Sequence, residues 1–338
     1  MNELAQLVDD LGRRAFDARL GHRRFPEAFD DALWRNLEGT GLARLTANQD
    51  AGPAEAAIVL SGLARHAAAV PIAETDLLAA WLAGKAGLPV PDTGPLTVAI
   101  AADSHESGGR IKGTARDVAW PVDVVVVAAR TSDVLHVGVV DSPTSAGHNV
   151  AGEPRDSFTF DIAVSDMRAV DIDVVDELTR RGAWARCNQI VGAFDAARDL
   201  TVAHTGERVQ FGRPLSKFQA VQHSLAAMAG EIERARAATA LAVAAATDYG
   251  FDHAATDYAV TAAKVAVGRA VGPVTTIAHQ LHGAIGVTAE HRLWLATMRA
   301  RRWVDDFGTT GHYARRLGRM ALAADNPWDV VVSYPERR

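Results

Sequence analysis

The sequence predicts a mainly α protein with a small β domain set between an N-terminal helical domain and a C-terminal four-helix bundle. Three observations carry this. Apolar residues recur at three- and four-residue spacing through the first ninety or so positions, among them Leu4, Leu7, Val8 and Leu11. From Leu96 to Asp173 the chain turns rich in β-branched residues and turn formers, with no helix of useful length between the apolar runs. Helical spacing returns at Asp176. The boundaries therefore read 1–92, 93–174 and 175–338.

In order, Phe29, Leu33, Trp34 and Leu37 mark a helix that Gly39 and Gly41 stop. Pro53 opens a helical run over 54–66, and 75–84 reads as a further helix ended at Gly87 and Pro89. Candidate strands are 97–101, 122–129, 134–140, 158–164 and 169–174, predicting an antiparallel sheet. In the last part, Trp184, Cys187, Ile190, Val191 and Phe194 form one apolar face. A second helix extends from Leu215 toward Asp248; at about 1.5 Å per residue it is about 50 Å long. A third, 258–281, is apolar nearly all round and should lie inside the bundle, with Pro273 kinking or restarting it. A fourth runs from His291 to Trp303.

Composition excludes several classes. Hydrophobic residues make up 48% and charged residues 22%, an ordinary globular balance. A net charge of −6, without a basic tail, gives no reason to expect nucleic-acid binding. Cys187 is the single cysteine, so no disulfide forms within the chain, and a reducing cytoplasm is the expected setting. Neither a signal peptide nor a membrane span is read. No Gly-x-Gly-x-x-Gly follows a strand, which argues against a nicotinamide-binding unit. The histidines at 279 and 282 lack partners at metal-ligand spacing, so no metal is expected.

Two runs carry chemistry. Arg208-Val209-Gln210-Phe211-Gly212-Arg213-Pro214-Leu215, followed by Phe218-Gln219, offers an arginine that stays charged and can bind a phosphate bidentately. Gln280-Leu281-His282-Gly283-Ala284-Ile285-Gly286 ends an apolar helix in small residues, where backbone N–H groups could reach a phosphate at Gly283 and Gly286. Read singly, Arg208 is a surface ion-pair residue and Gly283 a helix C-cap before either is a ligand site.

The two runs together, in this order, resemble the Arg-x-Gln-Phe-Gly and Gln-x-x-Gly-Gly-x-Gly signatures of the acyl-CoA dehydrogenase family, and the chain is similar to its short actinobacterial-type members. The resemblance implies an acyl-CoA dehydrogenase-like fold and FAD bound across a subunit interface. Arg208 would meet the pyrophosphate of a flavin held mainly by a neighbouring subunit. Phe211 and Gln219 would pack on its adenosine side, and Gln280, Gly283 and Ala284 would line the dinucleotide. It implies an acyl-CoA substrate dehydrogenated to a 2-enoyl thioester, and an electron-transfer flavoprotein or similar acceptor. The assembly would be a homo-oligomer or a heteromer with another acyl-CoA dehydrogenase-like chain.

Such chemistry needs a carboxylate to remove the α-proton. The family's Glu-Gly-Thr position falls here on Phe307, before Gly308-Thr309, and its alternative position falls near Gly182. Neither residue accepts a proton. Asp306 is the expected base, with Asp305 and Glu290 as alternatives; Asp305 and Asp306 serve equally as a cap or as partners of Arg301 and Arg302. The expected function is a self-sufficient dehydrogenase; the alternative is a subunit whose partner supplies the base or half the flavin site. A cofactor-free helical interaction protein and a flavin monooxygenase or nitroalkane oxidase on the same scaffold stay open beside them. Two departures bear on the site: Ala284 stands for the second glycine, and the β domain lacks the family's flavin-contacting Thr-Glu…Gly-Ser-Asp run.

Overall fold

The computed structural model describes residues 3–19, 25–47, 51–141, 147–288 and 291–332. The chain begins with α1 (Glu3–Arg19), α2 (Asp31–Gly39) and α3 (Pro53–Arg65), and a π-helical stretch (Glu74–Ala80) then runs into α4 (Trp81–Ala86). Seven strands follow: β1 (Leu96–Ala101), β2 (Ser104–Ser107), β3 (Arg110–Ala119), β4 (Val124–Thr131), β5 (Val134–Asp141), β6 (Arg155–Ala163) and β7 (Arg168–Val170). The remainder holds α5 (Val174–Glu207), a hairpin of β8 (Val209–Gln210) and β9 (Arg213–Pro214), α6 (Gln219–Tyr249) and α7 (Ala254–His282). It closes with α8 (Arg292–Trp303), α9 (Thr310–Ala323) and α10 (Asp329–Val332). The fold is mainly helical with a small β region, as the residue texture predicts.

Two compact units divide the chain. One gathers Met1–Arg13, Ala57–Ala67 and Ala183–Arg338; the other gathers Arg14–Ala56 and Ala68–Gly182.

In the second unit the strands form a four-stranded sheet in the order β1-β4-β5-β7 and a three-stranded sheet in the order β2-β3-β6. Both contribute to one core, which includes Ala99, Ile111, Val127, Phe158 and Phe160. β4 lies between β1 and β5 with Val125 through Ala129 all buried, which is why it reads as an unbroken apolar run. The expected antiparallel sheet needs one correction: β1 pairs with β4 in parallel. The chain leaves β1, builds β2 and β3 in the other sheet, and returns to β4 in the same direction. β3 escaped the sequence reading because only one of its faces is apolar; Ile111, Ala115 and Val118 point inward between charged residues, and a bulge breaks the alternation between Ala115 and Val118. The stretch expected as a plain helix over 75–84 begins instead as a π-helix with buried Thr75 and Asp76. Thr75 Oγ1 donates to Leu96 O at 2.9 Å and accepts from Leu96 N at 3.0 Å.

In the first unit, α7 runs unbroken through Pro273. The carbonyl that loses its donor there belongs to exposed Arg269, so water can replace the missing hydrogen bond. Trp184, Ile190 and Phe194 of α5 are buried, and the Trp184 Nε1–H donates to Ala242 O of α6 at 3.2 Å. Cys187 is fully buried, which pushes its thiol pKa up to about 12 and leaves it a packing residue. Among the described residues no helix is long and apolar enough to cross a membrane, and no cluster of three metal-ligating side chains occurs.

Candidate functional site

The Arg208–Leu215 run folds as a tight β-hairpin. Val209 pairs with Pro214 and Gln210 with Arg213, leaving Phe211 and Gly212 as a two-residue turn. Both turn residues have positive φ, 52° at Phe211 and 78° at Gly212. That is the backbone hand such a turn needs, and a bulky residue adopts it at a cost of about 1–2 kcal/mol. The result is an aromatic side chain 91% exposed. Arg213 lies over the Phe218 ring at 4.2 Å, and Phe211 meets that ring edge-on at 6.1 Å, so the base of the hairpin is braced while its tip is bare. Arg208 is exposed, and its guanidinium has no hydrogen-bond or ion-pair partner among the described residues. Gln219 opens α6, exposed, with no side chain capping the helix start.

The second motif closes α7. Gly283 has φ 68° and ψ −147°, and a Cβ there would meet nothing within 4 Å, so its backbone faces open space. Gln280, Gly283 and Ala284 are all exposed. Gly286 serves a different purpose from the one expected. It is buried, and a Cβ there would stand 2.7 Å from the His282 Cβ and 3.1 Å from Leu293 Cδ2. Glycine at 286 lets the turn pack against α7 and α8; of the two glycines, Gly283 is the one with open space beside it.

Histidines brace this turn. His282 is buried and donates from Nδ1 to Ala278 O at 2.8 Å. Its ring stacks on His204 at 4.5 Å and meets His291 at 5.1 Å. Burial holds its pKa down to about 4, so the ring is neutral. His279 Nε2 lies 2.8 Å from Thr297 Oγ1, and burial lowers its pKa as well. Both act in packing and hydrogen bonding.

The third element is the turn between α8 and α9. Asp306, the expected base, is 7% exposed, and its carboxylate accepts from Arg186 Nε at 2.8 Å and lies 3.1 Å from Arg302 Nη1. Lys264, fully buried in α7, donates to the carbonyls of Val304 at 2.8 Å and Asp306 at 2.9 Å. The Tyr313 hydroxyl donates to Phe307 O at 2.8 Å, and Phe307 itself has φ 56°. Four helices thus tie down one turn. Two guanidinium groups favour the ionised carboxylate and occupy its oxygens, which works against the base role assigned from sequence. Asp305 is exposed. Glu290 lies outside the described residues. The alternative family position, Gly182, follows Glu177 and Arg181, which pair with each other at 2.9 Å.

Arg186 is the residue that sequence reasoning missed. It sits 120 positions from its partner, with no local pattern to betray it. Trp120 is buried with φ 49°, a core residue as expected.

Residues 172–321 match the family described as acyl-CoA dehydrogenase, C-terminal domain. The chain is 30% identical over 320 residues to acyl-CoA dehydrogenase IpdE2 of Mycolicibacterium smegmatis, covering 90% of each protein. Among solved structures, it superposes on the Tcur3481-Tcur3483 steroid ACAD G363A variant with a TM-score of 0.81 and 25% identity, over 95% of this chain and 98% of that one. It superposes on the ChsE4-ChsE5 complex from Mycobacterium tuberculosis with a TM-score of 0.80 and 22% identity, over 96% and 98% of the chains, a likeness of fold alone.

Proposed function

This chain belongs to the acyl-CoA dehydrogenase family, and from that premise we propose that it is the base-lacking subunit of a two-chain FAD-dependent enzyme that converts an acyl-CoA thioester to a 2-enoyl-CoA. The observation that carries this reading is the state of Asp306, buried and held by Arg186 and Arg302. The family's base position holds Phe307, and the carboxylate beside it is committed to an ion pair. The partner chain then supplies the base. The pairing named in the relative Tcur3481-Tcur3483 supports a heteromer. Asp305, exposed, is the carboxylate that would serve if the chain works alone.

The residues present fit a dinucleotide. An arginine at 208 with no partner among the described residues, an aromatic displayed at 211 and a bare backbone at 283 are groups that a dinucleotide can use. Arg208 would hold the pyrophosphate, Phe211 and Gln219 the adenosine side, and Gln280 with the backbone of Gly283 and Ala284 the dinucleotide. The flavin, when bound, supplies the acceptor for the β-hydride. This chain's task is to bind it and to exclude water at the hairpin; an electron-transfer flavoprotein or similar acceptor in the cytoplasm would take the electrons. Expression alone and together with a second acyl-CoA dehydrogenase-like chain tests the reading: FAD uptake and bleaching by acyl-CoA are expected only for the pair. A chain that bleaches unaided would overturn it.

A further inference from the structure

The second unit contains a cleft of about 550 Å³ that the reading above leaves without a purpose. Its walls come from the end of α2, the 3-10 turn Leu42–Arg44, α4 and the segment after it. That volume lies in the range of small-molecule sites. Ala43, Ala80, Leu88 and Val90 give it an apolar lining. Gly41 and Gly84 also line it, and a Cβ added at either would meet nothing within 4 Å, so both leave room that ordinary side chains would fill.

Among the described residues that line it, Arg44 is the one cation. It is half-buried and, among the described residues, spends a single hydrogen bond, Nη2 to Gly94 O at 3.1 Å. Gly94 is fixed in turn: its N–H donates to Glu38 Oε1 at 2.6 Å, and that oxygen also accepts from Trp34 Nε1 at 2.9 Å. The guanidinium is therefore oriented while most of its donors stay unused. Burial lowers the Arg44 pKa, the mark of a cation short of solvent. Glu38 and Asp92 at the rim form no ion pair with it. They offset its charge at a distance and would repel a second negative charge on a ligand.

We propose that this cleft binds a small monocarboxylate with an aliphatic body, its carboxylate on Arg44 and its chain on the apolar wall. A guanidinium fork matches a carboxylate bidentately, the two rim carboxylates disfavour a dianionic phosphate ester, and the lining accepts methylenes.

Ligand-observed NMR titration of the full chain with octanoate tests this, with octyl phosphate and octylammonium as comparisons. Octanoate should bind saturably, with a dissociation constant on the order of a millimolar, and octyl phosphate more weakly. Arg44→Gln should weaken octanoate about tenfold or more. Gly84→Leu, which fills open space in a helix and should leave the melting temperature unchanged or raised, should abolish binding. Octanoate binding that survives both substitutions, preferential binding of octylammonium, or no saturable binding would each overturn the proposal.

Discussion

Two turns in the same compact unit are built on opposite plans. The α8–α9 turn is closed: Asp306, Val304 and Phe307 are gripped by Arg186, Arg302, Lys264 and Tyr313 from four helices. The β8–β9 hairpin is open, with Arg208 unpartnered among the described residues and Phe211 presented to solvent. A turn that must give and take protons needs a carboxylate with a lone pair to spare, whereas a turn that must seize a ligand needs unused donors. Here the first has been made structural and the second left ready. On the proposed function, the partner chain does the chemistry and this chain keeps the binding.

The sharpest way to break the comparison is Asp306→Asn. As the hub of a buried ion-pair cluster, its loss should cost about 3–5 kcal/mol of stability, read as a shift in chemical-denaturation midpoint. A variant as stable as the parent would mean that the grip is incidental. On the open side, Arg208→Gln should leave unfolding unchanged and weaken FAD binding by the assembled enzyme about tenfold or more, measured by flavin fluorescence. Phe211→Ala should loosen the flavin or partner by a smaller factor, on the order of several-fold, again with no stability change in the isolated chain. A loss of stability there would mean that the aromatic packs within its own fold.

A fourth effect is smaller and concerns pH. His282 titrates lower in the folded chain than unfolded, at about 4 against 6.5. Between these values the unfolded chain binds more protons, so His282 makes stability fall as pH drops through that window. Asp76, in the other unit, has the opposite sign. Thr46 and Ala47 donate to its carboxylate, but burial dominates and raises its pKa to about 6 from 3.8. The folded state therefore takes up the proton first, and its penalty eases as pH falls. His282→Gln should flatten the acid slope of unfolding free energy measured between pH 7 and 5; an unchanged slope would remove the neutral, stacked imidazole from the account.

Much of this could be read before any coordinates. The run Gln210-Phe211-Gly212-Arg213 stood out for its chemistry and not as the hairpin it forms, but the change of texture at Pro91 separated helices from strands through patterns among neighbours. The α7 terminus was legible for the same reason. What escaped were long-range facts. The parallel β1–β4 pair depends on where the chain goes after β1, not on either strand's residues. The role of Gly286 depends on His282 and Leu293 packing against it. Above all, Asp306 reads in sequence as an acid beside Phe307-Gly308-Thr309, a base in waiting. Only the fold brings Arg186 from α5 onto it and alters what that carboxylate can do.

The most direct test places Asp306→Asn in the reconstituted two-chain enzyme, with anaerobic flavin bleaching followed on the folded, FAD-loaded fraction. The account predicts bleaching at the parental rate from a less stable protein. Abolished bleaching at full stability and full FAD occupancy would return the base to this chain and contradict it.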